Sequence, residues 1–163
     1  MLGKQDSFVL YDEELIRFTK VLEKLLHDSN AGSAFLIDKN GQLICAVGET
    51  DKLDTTSLAS LTAGNIAATG GLAKLIGEKE FSILFHEGEK DNIHISIVGG
   101  RIILVVIFDN RSSLGLVRLR VKKAGAELQT ILDDLITRTE ESQKAGGSPF
   151  AEITEEDIDN LFS

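Results

Sequence analysis

Between residues 81 and 119 the chain alternates short apolar runs with turn residues, and then a long helical period begins. The runs occupy residues 81–86, 92–98 and 101–108. Only Gly99-Gly100 separates the last two, a pair suited to the positive φ of a two-residue hairpin turn. Two adjacent hairpins follow, hence an antiparallel meander. The third run reads Ile102, Ile103, Leu104, Val105, Val106, Ile107, Phe108 with no polar interruption, so both sides of that strand should be covered and it should lie at the sheet centre.

Upstream, Leu15, Phe18, Leu22 and Leu25 repeat at helical spacing, which predicts a helix over 12–28 with Asp12 as its cap and Tyr11 stapled onto Ile16. Asn30 and Gly32 end it. The apolar runs 34–37 and 43–47 then flank Asp38-Lys39-Asn40-Gly41, a hairpin signature.

A second helix is predicted from 54 or 55 to 77, with Gly77 as its terminator. Leu58, Leu61, Leu72 and Leu75 share one stripe, and this large-residue face is expected to pack on the strands. Another stripe is nearly bare: Ala59, Ala63, Ala67 and Gly70 step by four, four and three positions. It admits two readings, close packing on the domain's own sheet or a surface for self-association or a partner. Gly64, Gly70 and Gly71 each weaken a helix by about 1 kcal/mol relative to Ala, which favours a helix that needs close approach.

The last long helix is predicted from a Ser112 or Ser113 cap to about residue 141, with Val117, Val121, Ala124, Leu128, Ile131 and Leu135 on the buried face. The domain is therefore set at 1–141. Residues 142–163 form a linker containing Gly146-Gly147-Ser148-Pro149, flexible by composition, and an acidic amphipathic tail. In that tail Thr154 starts a Thr-x-x-Asp cap, and Phe150, Ile153, Ile158, Leu161 and Phe162 are candidate docking residues. The alternative is a solubilising end without a docking role.

Composition narrows the function. With 42% apolar and 26% charged residues in 163, one globular domain with a real core is expected. The formal charge of −9 argues against nucleic acid or an anionic membrane as the main partner. Charge is also segregated: residues 146–163 hold five acids and no Lys or Arg, whereas 111–123 hold five cations and no acid, so these segments could meet each other or a partner. No apolar stretch approaches the roughly 20 residues of a membrane span, the N-terminus lacks the order of a signal peptide, and the single Cys45 lies in an apolar run. A cytoplasmic protein is the expectation.

Catalytic chemistry is hard to find. Neither G-x-x-x-x-G-K-[ST] nor G-x-G-x-x-G after a strand occurs, so nucleotide binding by this chain is not expected. His86 and His94 could lie opposite each other across the 87–91 turn as a two-ligand site, but no Cys, third His or acid at fixed spacing completes it; surface positions on an edge hairpin are the plainer reading. Arg101, Arg111, Arg118 and Arg120 are the candidates for an arginine inserted into another protein's phosphate site, although solvated turn and helix charge is the plainer reading of each. No catalytic, cofactor-binding or metal residue is assigned.

The predicted order, helix, hairpin, helix, three-strand meander, helix, resembles the Roadblock/LC7 domain. The likeness is carried by DTTSLASLTAGNIAATGGLAKLIG at 54–77, FHEG at 85–88, VVIFDN at 105–110 with SLGLV at 113–117, and SPFAEI at 148–153 with DIDNLF at 157–162. It implies an α+β sandwich whose five-stranded antiparallel sheet has helices on both faces. It further implies a homodimer in which second helices pair and third strands join two sheets. The matching branch of that family activates a Ras-like small GTPase in bacterial cell polarity and gliding motility, repositioning the GTPase's own catalytic residues. On that resemblance Ala63 and Ala67 fall at the dimer or GTPase contact, and the tail clamps the same GTPase elsewhere. A scaffold without effect on GTP hydrolysis, and a small-ligand sensor marked by a buried polar pocket, are the alternatives.

Overall fold

The computed structural model describes residues 9–144, in the order α1 (Asp12–Ser29), β1 (Ser33–Asp38), β2 (Leu43–Gly48), α2 (Thr55–Leu75), β3 (Ile83–Glu87), β4 (Asn92–Val98), β5 (Ile102–Phe108) and α3 (Leu114–Lys144). The strands form one antiparallel sheet in the order β2-β1-β5-β4-β3, with β5 at its centre as its unbroken apolar sequence requires. Alternate β5 side chains enter two cores. Ile102, Leu104, Val106 and Phe108 face α1 and α3, while Ile103 and Val105 join Phe35, Ile37, Ala59 and Ile95 on the α2 face. Each such side chain, fully removed from water, contributes about 1.5–3 kcal/mol before the entropy of ordering is counted.

The turns follow their sequences. Gly99 and Gly100 adopt φ of +61° and +66°, the sign required at both central positions of a type I′ turn, and the Arg101 N–H closes it onto the Val98 carbonyl at 3.2 Å. At the β1–β2 hairpin the expected Asn-Gly pair behaves differently: only Gly41 has positive φ, at +89°, and Asp38 Oδ1 accepts from both the Asn40 and Gln42 amides at 2.9 Å. The carboxylate organises a loop wider than a two-residue turn.

α1 is capped by Tyr11 with no side-chain bond, which moves Asp12 into the first turn, where its charge favours the helix N-terminus. The staple is replaced. The Tyr11 ring lies under the Arg138 guanidinium at 4.1 Å, and Ile16 remains exposed. Arg138 also donates to both oxygens of the buried Glu14 at 3.1 Å, tying α1 to α3. α3 starts from Ser113, whose Oγ accepts the Leu116 N–H at 3.2 Å, and all six residues predicted for its inner face are buried. The tail residues Phe150, Ile153, Ile158, Leu161 and Phe162 lie outside the described residues, as does most of the predicted 142–163 segment.

Candidate functional site

α2 begins where Asp54 accepts the Ser57 N–H at 3.1 Å and its hydroxyl at 2.6 Å, bonds that hold the Asp54 carboxyl below its ordinary range. It ends as Gly77 turns to φ +83° and the Glu78 N–H reaches back to the Ala73 carbonyl at 2.8 Å. Between these ends the burial reverses the sequence expectation. Ala59, Thr62 and Ala73 are the buried positions, with Leu58 and Ile66 half-buried beside them, whereas Leu61, Leu72 and Leu75 are 74%, 59% and 83% exposed. α2 rests on the sheet core through Ala59, Leu58 and Ile66 and approaches the β1–β2 loop closely, Ala63 Cβ sitting 3.4 Å from where a Cβ on Gly41 would be, and the large-residue stripe is left facing out.

The small-residue stripe is thereby divided. Ala59 belongs to the chain's own core, Ala63 and Gly70 are half-buried, and Ala67 is exposed. Among the described residues nothing lies within 4 Å of a Cβ placed on Gly64, Gly70 or Gly71, so no contact among them explains these three glycines. The outward face carries Leu61, Leu72, Leu75 and Ile76. Beside it opens a groove of about 310 Å³ toward β3 and β4, lined by Leu58, Leu61, Ile93, Ile95 and His86 among others, and His86 Nε2 is 3.0 Å from Asn65 Nδ2. β3 is an edge strand with one side of its backbone unpaired within the sheet. An apolar helix face, a shallow apolar groove and a free strand edge adjoin one another.

The other sequence candidates separate. Pairing sets His86 opposite Ile93 and His94 opposite Phe85, so the two imidazoles lie on opposite faces of the sheet and cannot share a metal. His94 is buried rather than at the surface, and no group of three potential metal ligands occurs among the described residues. Arg111 is engaged by Glu49 and Asp109, each at 3.0 Å, which raises its pKa and lowers both carboxyls. It is a clasp between the ends of β2 and β5, not a free side chain.

The Roadblock/LC7 domain family matches residues 17–108, a span that contains α2, its groove and all five strands. The chain belongs to the Roadblock/LC7 family. Within it the chain is similar to MglB proteins. Myxococcus xanthus MglB is 61% identical with a TM-score of 0.75, covering 78% of this chain and 96% of that one. The gliding protein MglB of Thermus thermophilus is 36% identical with a TM-score of 0.74, covering 78% and 97%. An MglB described in a tetrameric arrangement is 35% identical with a TM-score of 0.75, covering 79% and 97%. Comparison with curated proteins gave no match. This Roadblock/LC7 chain is thus of the MglB type, in a family of regulatory scaffolds, and no helix among its described residues is long and apolar enough to cross a membrane.

Sequence reasoning found the helix and missed which face it offers. A signal was present: from Gly70 to Ile76 Lys74 is the single polar side chain, so the end of the helix is apolar almost all round, as expected of a helix covered on more than one side.

Proposed function

We propose that this chain is a GTPase-activating regulator of an MglA-type Ras-like small GTPase, working as a homodimer whose paired α2 helices form the docking platform. The observation that supports it most is the outward apolar face of α2, continuous with the unpaired edge of β3. A second copy related by two-fold symmetry covers Leu61, Leu72 and Leu75 and extends the sheet through β3, while Gly64, Ala67 and Gly71 allow the helices close approach. Ala63 and Gly70 border that contact, and Ala59 supports it from beneath.

Activation of this kind needs no residue of the platform in the reaction. The dimer binds the hydrolysis-competent arrangement of the GTPase switches more tightly than the resting one, and shifts the population by that difference in binding energy. The engagement of Arg111 by two carboxylates fits a platform that inserts no arginine. Bacterial cell polarity and gliding motility are the process this assigns.

The test is single-turnover GTP hydrolysis by the MglA-type GTPase with wild type and Ala67→Arg. Ala67 is preferable to Ala63, because Ala63 also packs near Gly41 and its substitution would disturb the fold. Wild type should accelerate hydrolysis and Ala67→Arg should not, with the folded state of the variant intact by circular dichroism. Equal acceleration by both removes α2 from the mechanism, and none by either leaves a scaffold without effect on hydrolysis.

A further inference from the structure

On the opposite face of the sheet from α2, a cavity of about 480 Å³ lies between the first half of α3 and the β3–β4 edge. Its apolar wall is made by Ile83, Val98 and Val121. His94 and Ser96 also line it; they are 1% and 8% exposed, and neither ring nitrogen of His94 nor the Ser96 hydroxyl has a hydrogen-bond partner among the described residues. An imidazole carries an N–H in either tautomer, so the cavity holds at least two donors without acceptors, an arrangement buried groups rarely keep. Exposed Arg118 and Lys122 supply positive charge at its margin and form no salt bridge among the described residues. An occupant that suits this site is rich in acceptors, negatively charged and partly apolar.

We infer that the cavity is the berth of this chain's own acidic C-terminal segment, residues 150–163. That segment combines Phe150, Ile153, Ile158, Leu161 and Phe162 with Glu152, Glu155, Glu156, Asp157 and Asp159, and has no Lys or Arg. Reach is sufficient. Along α3, Lys122 lies about 33 Å from Lys144 at about 1.5 Å per residue. The chain from 145 to 158 spans up to about 46 Å when extended. The carboxylates of Asp157 and Asp159 then meet Arg118 and Lys122, and the apolar side chains enter against Ile83, Val98 and Val121. Backbone carbonyls give His94 and Ser96 the acceptors they lack as the rim side chains part. A tethered segment docks at an effective concentration near the millimolar range, so modest contact energy suffices.

The experiment uses the full chain with a nitroxide on Ser163→Cys in a Cys45→Ser background, reading paramagnetic broadening of backbone amides. Docking predicts strong broadening at His94, Ser96, Arg118 and Lys122 and none at Gly64 on α2. Arg118→Glu with Lys122→Glu should reduce that broadening by about fivefold, the change that the loss of a few weak contacts produces, with circular dichroism unchanged. Adding Asp157→Lys and Asp159→Lys should restore it. Broadening spread evenly, centred on α2, or unaffected by the charge reversal overturns the inference. Broadening seen only when spin-labelled copies are mixed with separate isotope-labelled copies assigns the berth to a second copy's tail and overturns same-chain docking.

Discussion

Leu72→Asp isolates the proposed dimer contact from the fold. Leu72 is 59% exposed in the protomer, so its substitution leaves the protomer core untouched and should alter protomer stability by no more than about 0.5 kcal/mol. Complete burial of a leucine side chain is worth about 1.5–3 kcal/mol, and the exposed 59% therefore represents about 0.9–1.8 kcal/mol on association. Two-fold symmetry counts that twice, giving about 1.8–3.5 kcal/mol and a dimer Kd about 20- to 400-fold weaker, with the aspartate's desolvation adding to the loss. Sedimentation velocity over a dilution series reads the Kd, and circular dichroism confirms the fold. An unchanged Kd in a folded variant refutes the assignment of this face. So would a monomeric wild type at every concentration.

Two glycine substitutions should move stability in opposite directions. Gly99→Ala places a Cβ 2.7 Å from Gln129 Oε1 and 2.8 Å from Leu132 Cδ2 at a φ of +61°, and should lower unfolding free energy by at least about 1–2 kcal/mol in urea titration. Gly70→Ala meets nothing within 4 Å and should raise protomer stability by about 0.5–1 kcal/mol while weakening the dimer. For His94, burial first and nearby Arg118 second hold the folded pKa below the ordinary 6.5, so the unfolded chain takes up protons more readily. Stability should therefore be full above about pH 6.5 and fall as pH drops through that value, and melting curves of His94→Leu should lose this slope. Burial pushes the Cys45 thiol up to about 11, against a smaller opposing effect of Thr19. Iodoacetamide at about pH 8 should alkylate native Cys45 about a hundredfold more slowly than the denatured chain.

How much of this was readable in the residues depends on whether a position's environment is set locally. β5 was legible because seven consecutive apolar residues leave no face for water, whatever the neighbours. α3 was legible because its buried positions alternate with charge. His94 was not, since its face is decided by which β3 residue it opposes, and a shift of one position would send it to the other side of the sheet. Nor could the Asn40-Gly41 turn be read fully, because Asp38 imposes a wider loop through bonds that a dipeptide signature does not encode.

α2 failed for a different reason, and that reason bears on function. Its apolar residues surround the axis, so periodicity identifies a helix without identifying an inside. The sheet core takes Ala59, Leu58 and Ile66, and Leu61, Leu72 and Leu75 are left on the far side. A chain selected only to fold as a protomer would place polar residues at positions 61, 72, 75 and 76, since exposed leucine adds nothing to protomer stability and invites association. Their presence beside three glycines that no neighbour among the described residues requires is most simply explained by a second surface pressed against α2. The ambiguity of the α2 sequence and the proposed docking role of α2 then have one physical origin, a helix with two insides.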